Sequence, residues 1–250
     1  DDPNITHVEG SVDPIRDIEI INLELIMADL QTVENRLGKV ERKAQTNKDK
    51  DAVREVSVLK KLQEALLEGK AARSVELDKE ELAIVKAFSL LTLKPMIYVA
   101  NMSDEEIMEP EANPYYQAVK AHAEAENNMV VPICAKIEEE LSALDKEEKS
   151  EFLAELGIAE SGLDQIIKSA YHILNLRTFL TAGEDECRAW TFKKGMKAPE
   201  CAGVIHTDFQ KGFIRAETYA FSDIDELGSE HAVKEAGRLR LEGKDYEVQD

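Results

Sequence analysis

No stretch of the 250 residues approaches the roughly 20 consecutive apolar residues that a membrane-spanning helix needs. A basic-then-apolar leader is missing too, so secretion is not expected. The three cysteines, Cys134, Cys187 and Cys201, are far apart and odd in number. A disulfide framework is thereby excluded, and reduced thiols in a cytosolic chain are the economical reading. No Cys/His spacing fits zinc. Positive charge is scarce: 31 Lys and Arg stand against 51 Asp and Glu, for a formal charge of −20. That balance argues against bulk adhesion to nucleic acid, DNA included.

What is present suits buried cores. Hydrophobic content is 43%, ordinary for a globular chain, and the length allows one large domain or two to three small ones. Charge is spread unevenly. Between Asp104 and Asp164 lie seventeen acidic residues and four lysines. Between Arg188 and Arg215 the sign reverses, with Arg188, Lys193, Lys194, Lys197, Lys211 and Arg215 against Glu200 and Asp208. That asymmetry marks the second segment as a candidate contact for a polyanion.

The most informative stretch is KPMIYVANMSDEE, 94–106. Pro95 disfavours helix in the residue before it, so a helical segment ends there. Met96 to Ala100 then reads as a short strand buried on both faces. Asn101 stands at its carboxyl end, where open α/β sheets bind ligands, with Asp104 three positions on. An amide and a carboxylate at that spacing suit a purine, since Asn101 offers donor and acceptor and Asp104 only accepts. The plain alternative is an Asx turn at a strand end. A second strand, Met129 to Ile133, runs into Cys134, Ala135 and Lys136.

Elsewhere the patterns are helical. Leu23, Ile26, Leu30, Val33, Leu37 and Val40 fall at alternating spacings of 3 and 4, a narrow seam. The polar stretch 43–51 breaks it, and Val53, Val56, Leu59, Leu62 and Leu66 form a second stripe, so the pair predicts an antiparallel helical hairpin. Asp78 and Glu81 make a capping box for a helix carrying Leu82, Val85, Phe88 and Leu91; Asp145 and Glu148 make another, for a helix closing at Gly157. Tyr115 to Glu126 is a helix between the two strands, and Ser161 caps an amphipathic one through Leu163, Ile166, Ile167, Ala170 and Leu174. From Leu176 the pattern alternates. Strands at 178–181 and 188–192, a helix from Pro199 through Phe209, and a strand in FIRAETYA read as a small β-grasp domain.

Asn101-x-x-Asp104 followed about thirty residues later by a strand ending in Cys-Ala-Lys resembles the base-reading half of GTPase-type domains. With the helical insertion before it and RAWTFKKG…GVIHTDFQKGFIRAE after it, the chain is similar to the Obg-like ATPases (YchF family) along its whole length. Cys134 in place of the Ser usual in GTPase-type domains, and Met102 in place of the Lys usual after the Asn, point to that branch, whereas Asp104 departs from the Glu that the family itself carries. The resemblance implies an α/β remainder of a P-loop nucleotide-binding domain (1–17 and 93–175). It also implies an inserted antiparallel coiled-coil arm (18–92) and a C-terminal α+β β-grasp TGS domain (176–250) without its last strand. It implies ATP as substrate, GTP less well, with Mg²⁺ held by residues outside this chain. Asn101 would bond the adenine, the Met102 backbone would line the base pocket beside Asp104, and Cys134, Ala135 and Lys136 would pack around base and sugar.

His7 matches the family's water-orienting position, though a lone loop histidine is commonly just solvated. No G-x-x-x-x-G-K-[ST] string occurs, so the chain alone is expected to be inert. Lys193, Lys194 and Lys211, in glycine turns, are the expected ribosomal RNA contacts, and the setting cytoplasmic. Among 188–215, Trp190, Phe192, Phe209 and Phe213 are expected mostly in the core. The alternative is a non-catalytic module that docks on a ribosome or translation factor through arm and TGS surface.

Overall fold

The computed structural model describes residues 10–47, 49–183 and 186–250, so His7 lies outside the described residues. Contacts divide the chain into two units, 1–169 and 170–250.

In the first unit, α1 (Pro14–Asn47) and α2 (Lys50–Leu67) form the hairpin. The polar stretch 43–51 interrupts the helix as expected, though over fewer residues than the stretch spans: α1 runs to Asn47 and α2 starts at Lys50. Lys, Ala and Gln favour helix, and the polar composition there reflects solvent around the hairpin tip. Asp49 caps α2 by accepting from Asp51 N–H at 3.0 Å. Ile26, Val33, Leu37, Leu59, Leu62 and Leu66 are buried as the seam requires. Val53 is half exposed and Ala52 takes the inward place, because the heptad running back from Leu59 passes through alanine. α3 (Lys79–Lys86) opens on the expected capping box, with Asp78 and Glu81 each accepting from the other's backbone N–H. It stops short of the expected Leu91, and Leu90 rather than Leu91 enters the core.

One buried carboxylate secures the root of the hairpin. Asp29 of α1 accepts from Leu91 N–H (2.8 Å), Thr92 N–H (2.7 Å) and Thr92 Oγ1 (2.7 Å). Thr92 Oγ1 accepts in turn from Ala72 N–H at 2.9 Å. Nothing local in the sequence announces this clasp.

β1 (Ile97–Asn101), α4 (Pro114–Ala125) and β2 (Met129–Ile133) make a parallel crossover, with Ile97 opposite Met129 and Asn101 opposite Ile133. β1 is not buried on both faces, as its apolar run suggested. Among the described residues it pairs with β2 alone, and Val99 is 47% exposed. α5 (Ala135–Ser142), α6 (Lys146–Leu156) and α7 (Gly162–Ile173) follow. α6 has its capping box and ends on Gly157 at φ 70°, as the sequence predicts. Ser161 Oγ accepts from Asp164 N–H (3.1 Å) at the start of α7, whose Leu163 and Ile167 stay exposed.

In the second unit, β3 (Leu176–Ala182) and β4 (Cys187–Lys193) form the expected antiparallel pair. The expected single helix from Pro199 to Phe209 is two: α8 (Ala198–Ile205) and α9 (Thr207–Lys211). His206 separates them in extended conformation, and its ring Nδ1 caps α9 by accepting from Asp208 N–H at 3.2 Å. β5 is only Ala216–Thr218, cut short because α10 (Phe221–Leu227) begins at once. α11 (Glu230–Glu235) precedes β6 (Arg240–Glu242), which pairs antiparallel with β5. Phe192, Cys201 and Val233 are buried, with Phe179 edge-on to Phe192 at 5.7 Å.

Candidate nucleotide-base site

The parallel register puts both sequence signals at one end of the strand pair. Asn101 closes β1 opposite Ile133, and Cys134 caps the helix that starts at Ala135. Asn101 Oδ1 accepts from Ala135 N–H at 3.1 Å, which fixes the amide against the first turn of α5. One acceptor position is thus used internally. The Nδ2 amide has no partner among the described residues, leaving a donor at the surface for a ring nitrogen. Met102 N–H donates to Ile133 O at 2.8 Å, so that group is taken, while its side chain packs inward. Cys134 is buried, lining the base of the site with an apolar thiol.

Asp104 and Lys136 meet across the opening. Lys136 Nζ lies 2.7 Å from Asp104 Oδ2, with both side chains half exposed or more. The hydrogen bond and charge of Lys136 hold the Asp104 carboxyl below the usual carboxylate range, and Asp104 raises Lys136 in turn. Both groups therefore stay charged at neutral pH. A carboxylate so occupied is a poorer acceptor for the two donors of guanine, the ring N1–H and the exocyclic amine, and adenine makes no such demand.

The next loop is anchored by a group the sequence reading passed over. Glu106 Oε2 accepts from Ser103 Oγ (3.0 Å) and N–H (3.3 Å), and Oε1 from Asn113 Nδ2 (2.9 Å). These bonds hold its carboxyl below the ordinary range, the Ser103 N–H foremost. Ser103-x-x-Glu106 is a readable capping signature.

Among the described residues no cluster of three or more His, Cys, Asp or Glu is arranged to hold a metal ion. Magnesium, which accompanies a triphosphate, finds no fitting ligand set there. No helix of the described residues is long and apolar enough to cross a membrane.

In the second unit, Lys193 and Lys194 are exposed where β4 turns at Gly195 (φ 89°), and Lys211 is exposed at the end of α9. None has an ion-pair partner among the described residues. Lys197 instead pairs with Asp245 at 2.8 Å. The Arg188 guanidinium lies 4.3 Å from the Trp190 ring centroid, so that aromatic is used internally. Phe192 is buried as expected, but Phe209 is 56% exposed.

Comparison with known proteins agrees with the resemblance. The family profile YchF-GTPase_C, described as a protein of unknown function, matches residues 176–250. The chain is 57% identical over 249 residues to the ribosome-binding ATPase YchF of Bacillus subtilis, covering 100% of this chain and 68% of that protein. It is 49% identical over 247 residues to the protein of the same name from Haemophilus ducreyi, covering 99% and 67%. Among solved structures it is similar to the Schizosaccharomyces pombe YchF GTPase, with TM-score 0.83 and 36% identity, over 100% of this chain and 68% of that one.

Proposed function

The chain belongs to the YchF family, and on that premise we propose that it carries the base-reading and partner-docking parts of a ribosome-associated nucleoside-triphosphatase that prefers ATP to GTP. In this reading 1–17 and 93–175 belong to the nucleotide domain, 18–92 is the helical arm and 176–250 is the TGS domain. Asn101 Nδ2 donates to the purine, Met102 and Cys134 line the base pocket, and Ala135 and Lys136 border base and sugar. His7 orients the attacking water. The setting is cytoplasmic.

The observation that carries the ATP preference is the Lys136–Asp104 ion pair. Asp104 is the residue type that guanine readers use, and here its carboxylate is engaged by a neighbouring ammonium. Phosphoryl transfer in such hydrolases rests on a phosphate loop and magnesium. No phosphate-loop string occurs in these residues, so we assign them recognition rather than turnover.

Equilibrium binding of ATP and GTP to the full-length protein tests the assignment. ATP is expected to bind more tightly. GTP binding tenfold tighter, about 1.4 kcal/mol, would overturn it.

A further inference from the structure

Glu126 joins three segments that the sequence keeps far apart. It is the C-cap of α4, and a Schellman closure fixes its backbone: Asn127 follows at φ 56°, Asn127 N–H donates to Glu124 O (3.1 Å) and Asn128 N–H to Ala123 O (2.8 Å). Its Oε2 accepts from Arg73 Nη2 (2.7 Å) beyond α2, from Asn128 Nδ2 (2.9 Å) at the entrance to β2, and from the Tyr98 hydroxyl (3.4 Å) within β1. Asn128 passes the restraint on, since its Oδ1 accepts from Met96 N–H (3.1 Å), one residue before β1. Arg73 passes it the other way, donating through Nη1 to Thr92 O (3.3 Å), and Thr92 is clasped by Asp29 of α1.

One carboxylate oxygen is therefore the point where the root of the hairpin meets the amino-terminal ends of both parallel strands. The opposite ends of those strands carry Asn101 and Cys134 to Lys136. A five-residue strand transmits a shift at one end to the other, and sub-ångström misplacement of a recognition group is costly. The Arg73 side chain is 15% exposed and Asn128 7%, while the Glu126 side chain is 32% exposed, so its partners are sheltered and the carboxylate is partly open to solvent. The imidazole of His122 does not share the load. Its Nε2 is buried without a hydrogen-bond partner among the described residues, 3.6 Å from Glu126 Oε1.

We propose that Glu126 is a positioning residue for the base site, holding β1 and β2 in the relative placement that presents Asn101 to the purine and tying that placement to the root of the arm. The proposal rests on the base-site reading given above. It is tested in the full-length protein by measuring affinity for ATP and for tripolyphosphate, which has no base. Glu126→Gln should weaken ATP binding about tenfold and leave tripolyphosphate binding unchanged. Tyr98→Phe removes one donor with little risk to folding and should move ATP affinity the same way, by about threefold. Adding Glu126→Gln to Asn101→Ala should cost little beyond the single Asn101 change, because both act through one contact. Equal losses for ATP and tripolyphosphate, or full additivity in the double variant, would overturn the positioning role. If Asn101→Ala leaves ATP affinity unchanged, the base-site reading itself fails and the role of Glu126 falls with it.

Discussion

At the scale of single residues the base site turns on Lys136. Its ammonium occupies the Asp104 carboxylate, so Lys136→Ala should free that carboxylate and shift preference toward GTP by about tenfold, read from competition binding. An unchanged ATP-to-GTP ratio would mean that the ion pair does not govern specificity. His7, outside the described residues, has a role confined to the transition state in our reading. His7→Ala should lower kcat with little change in nucleotide affinity, and an unchanged kcat would leave it a solvated loop histidine. The cysteines give a prediction independent of nucleotide. Burial pushes the Cys201 thiol up to about 11, and Cys134 is buried as well, whereas Cys187 is exposed. A thiol-directed alkylating reagent at pH 7.5 should label Cys187 first, as mass spectrometry reports, with the others labelled only after unfolding. Prompt labelling of Cys201 in the folded protein would contradict its burial.

At the scale of elements, features encoded within a few residues were legible and features encoded across the chain were not. Both capping boxes, the αL close at Gly157, the two parallel strands and the β3–β4 hairpin follow from local spacing and turn chemistry. Ala52 was missed because pattern reading favours large apolar residues, and the His206 break because histidine is not an expected cap. The clasp at Asp29 joins residues 62 and 63 positions apart, which no periodicity reveals. The same holds for Glu126, whose meaning depends on three segments at once. Asn101 and Lys136 were legible because a strand end followed by a helix start is itself a local pattern. Asp29→Ala should leave two backbone N–H groups and a hydroxyl unpaired, costing on the order of 3 kcal/mol. Asn at this position should cost less, since it keeps an acceptor. Denaturant unfolding gives the loss, and amide exchange at Leu91 and Thr92 localises it; native-like protection there would contradict the clasp. At α3, the N–H groups of Glu81 and Glu80 hold the Asp78 carboxyl low, and Lys61 does the same for Glu81. Groups with depressed folded pKa values stabilise above their unfolded values and lose that contribution as pH falls through the folded ones. Amide exchange at the start of α3 should therefore be flat from about pH 9 to 5, once corrected for intrinsic rates, and accelerate below about pH 4.

At the scale of the whole molecule, a chain of charge −20 that docks on a polyanion must do so through a local exception. Lys193, Lys194 and Lys211, like Arg188 and Arg215, are exposed cations of 188–215 without ion-pair partners among the described residues, and in our reading the three lysines contact ribosomal RNA. Reversing all three should weaken ribosome association and flatten its dependence on log salt by about two to three, measured by sedimentation over a salt series. An unchanged slope would place the contact elsewhere. In our reading the carboxyl ends of β1 and β2 bind a purine, with the Asn101 amide as the donor. The most direct measurement is the NMR signal of the Asn101 side-chain amide in full-length protein labelled with ¹⁵N at asparagine, assigned by Asn101→Ala. This signal should shift on adding ATP and stay in place on adding tripolyphosphate. A signal indifferent to ATP at saturation, or moved equally by tripolyphosphate, would contradict that reading.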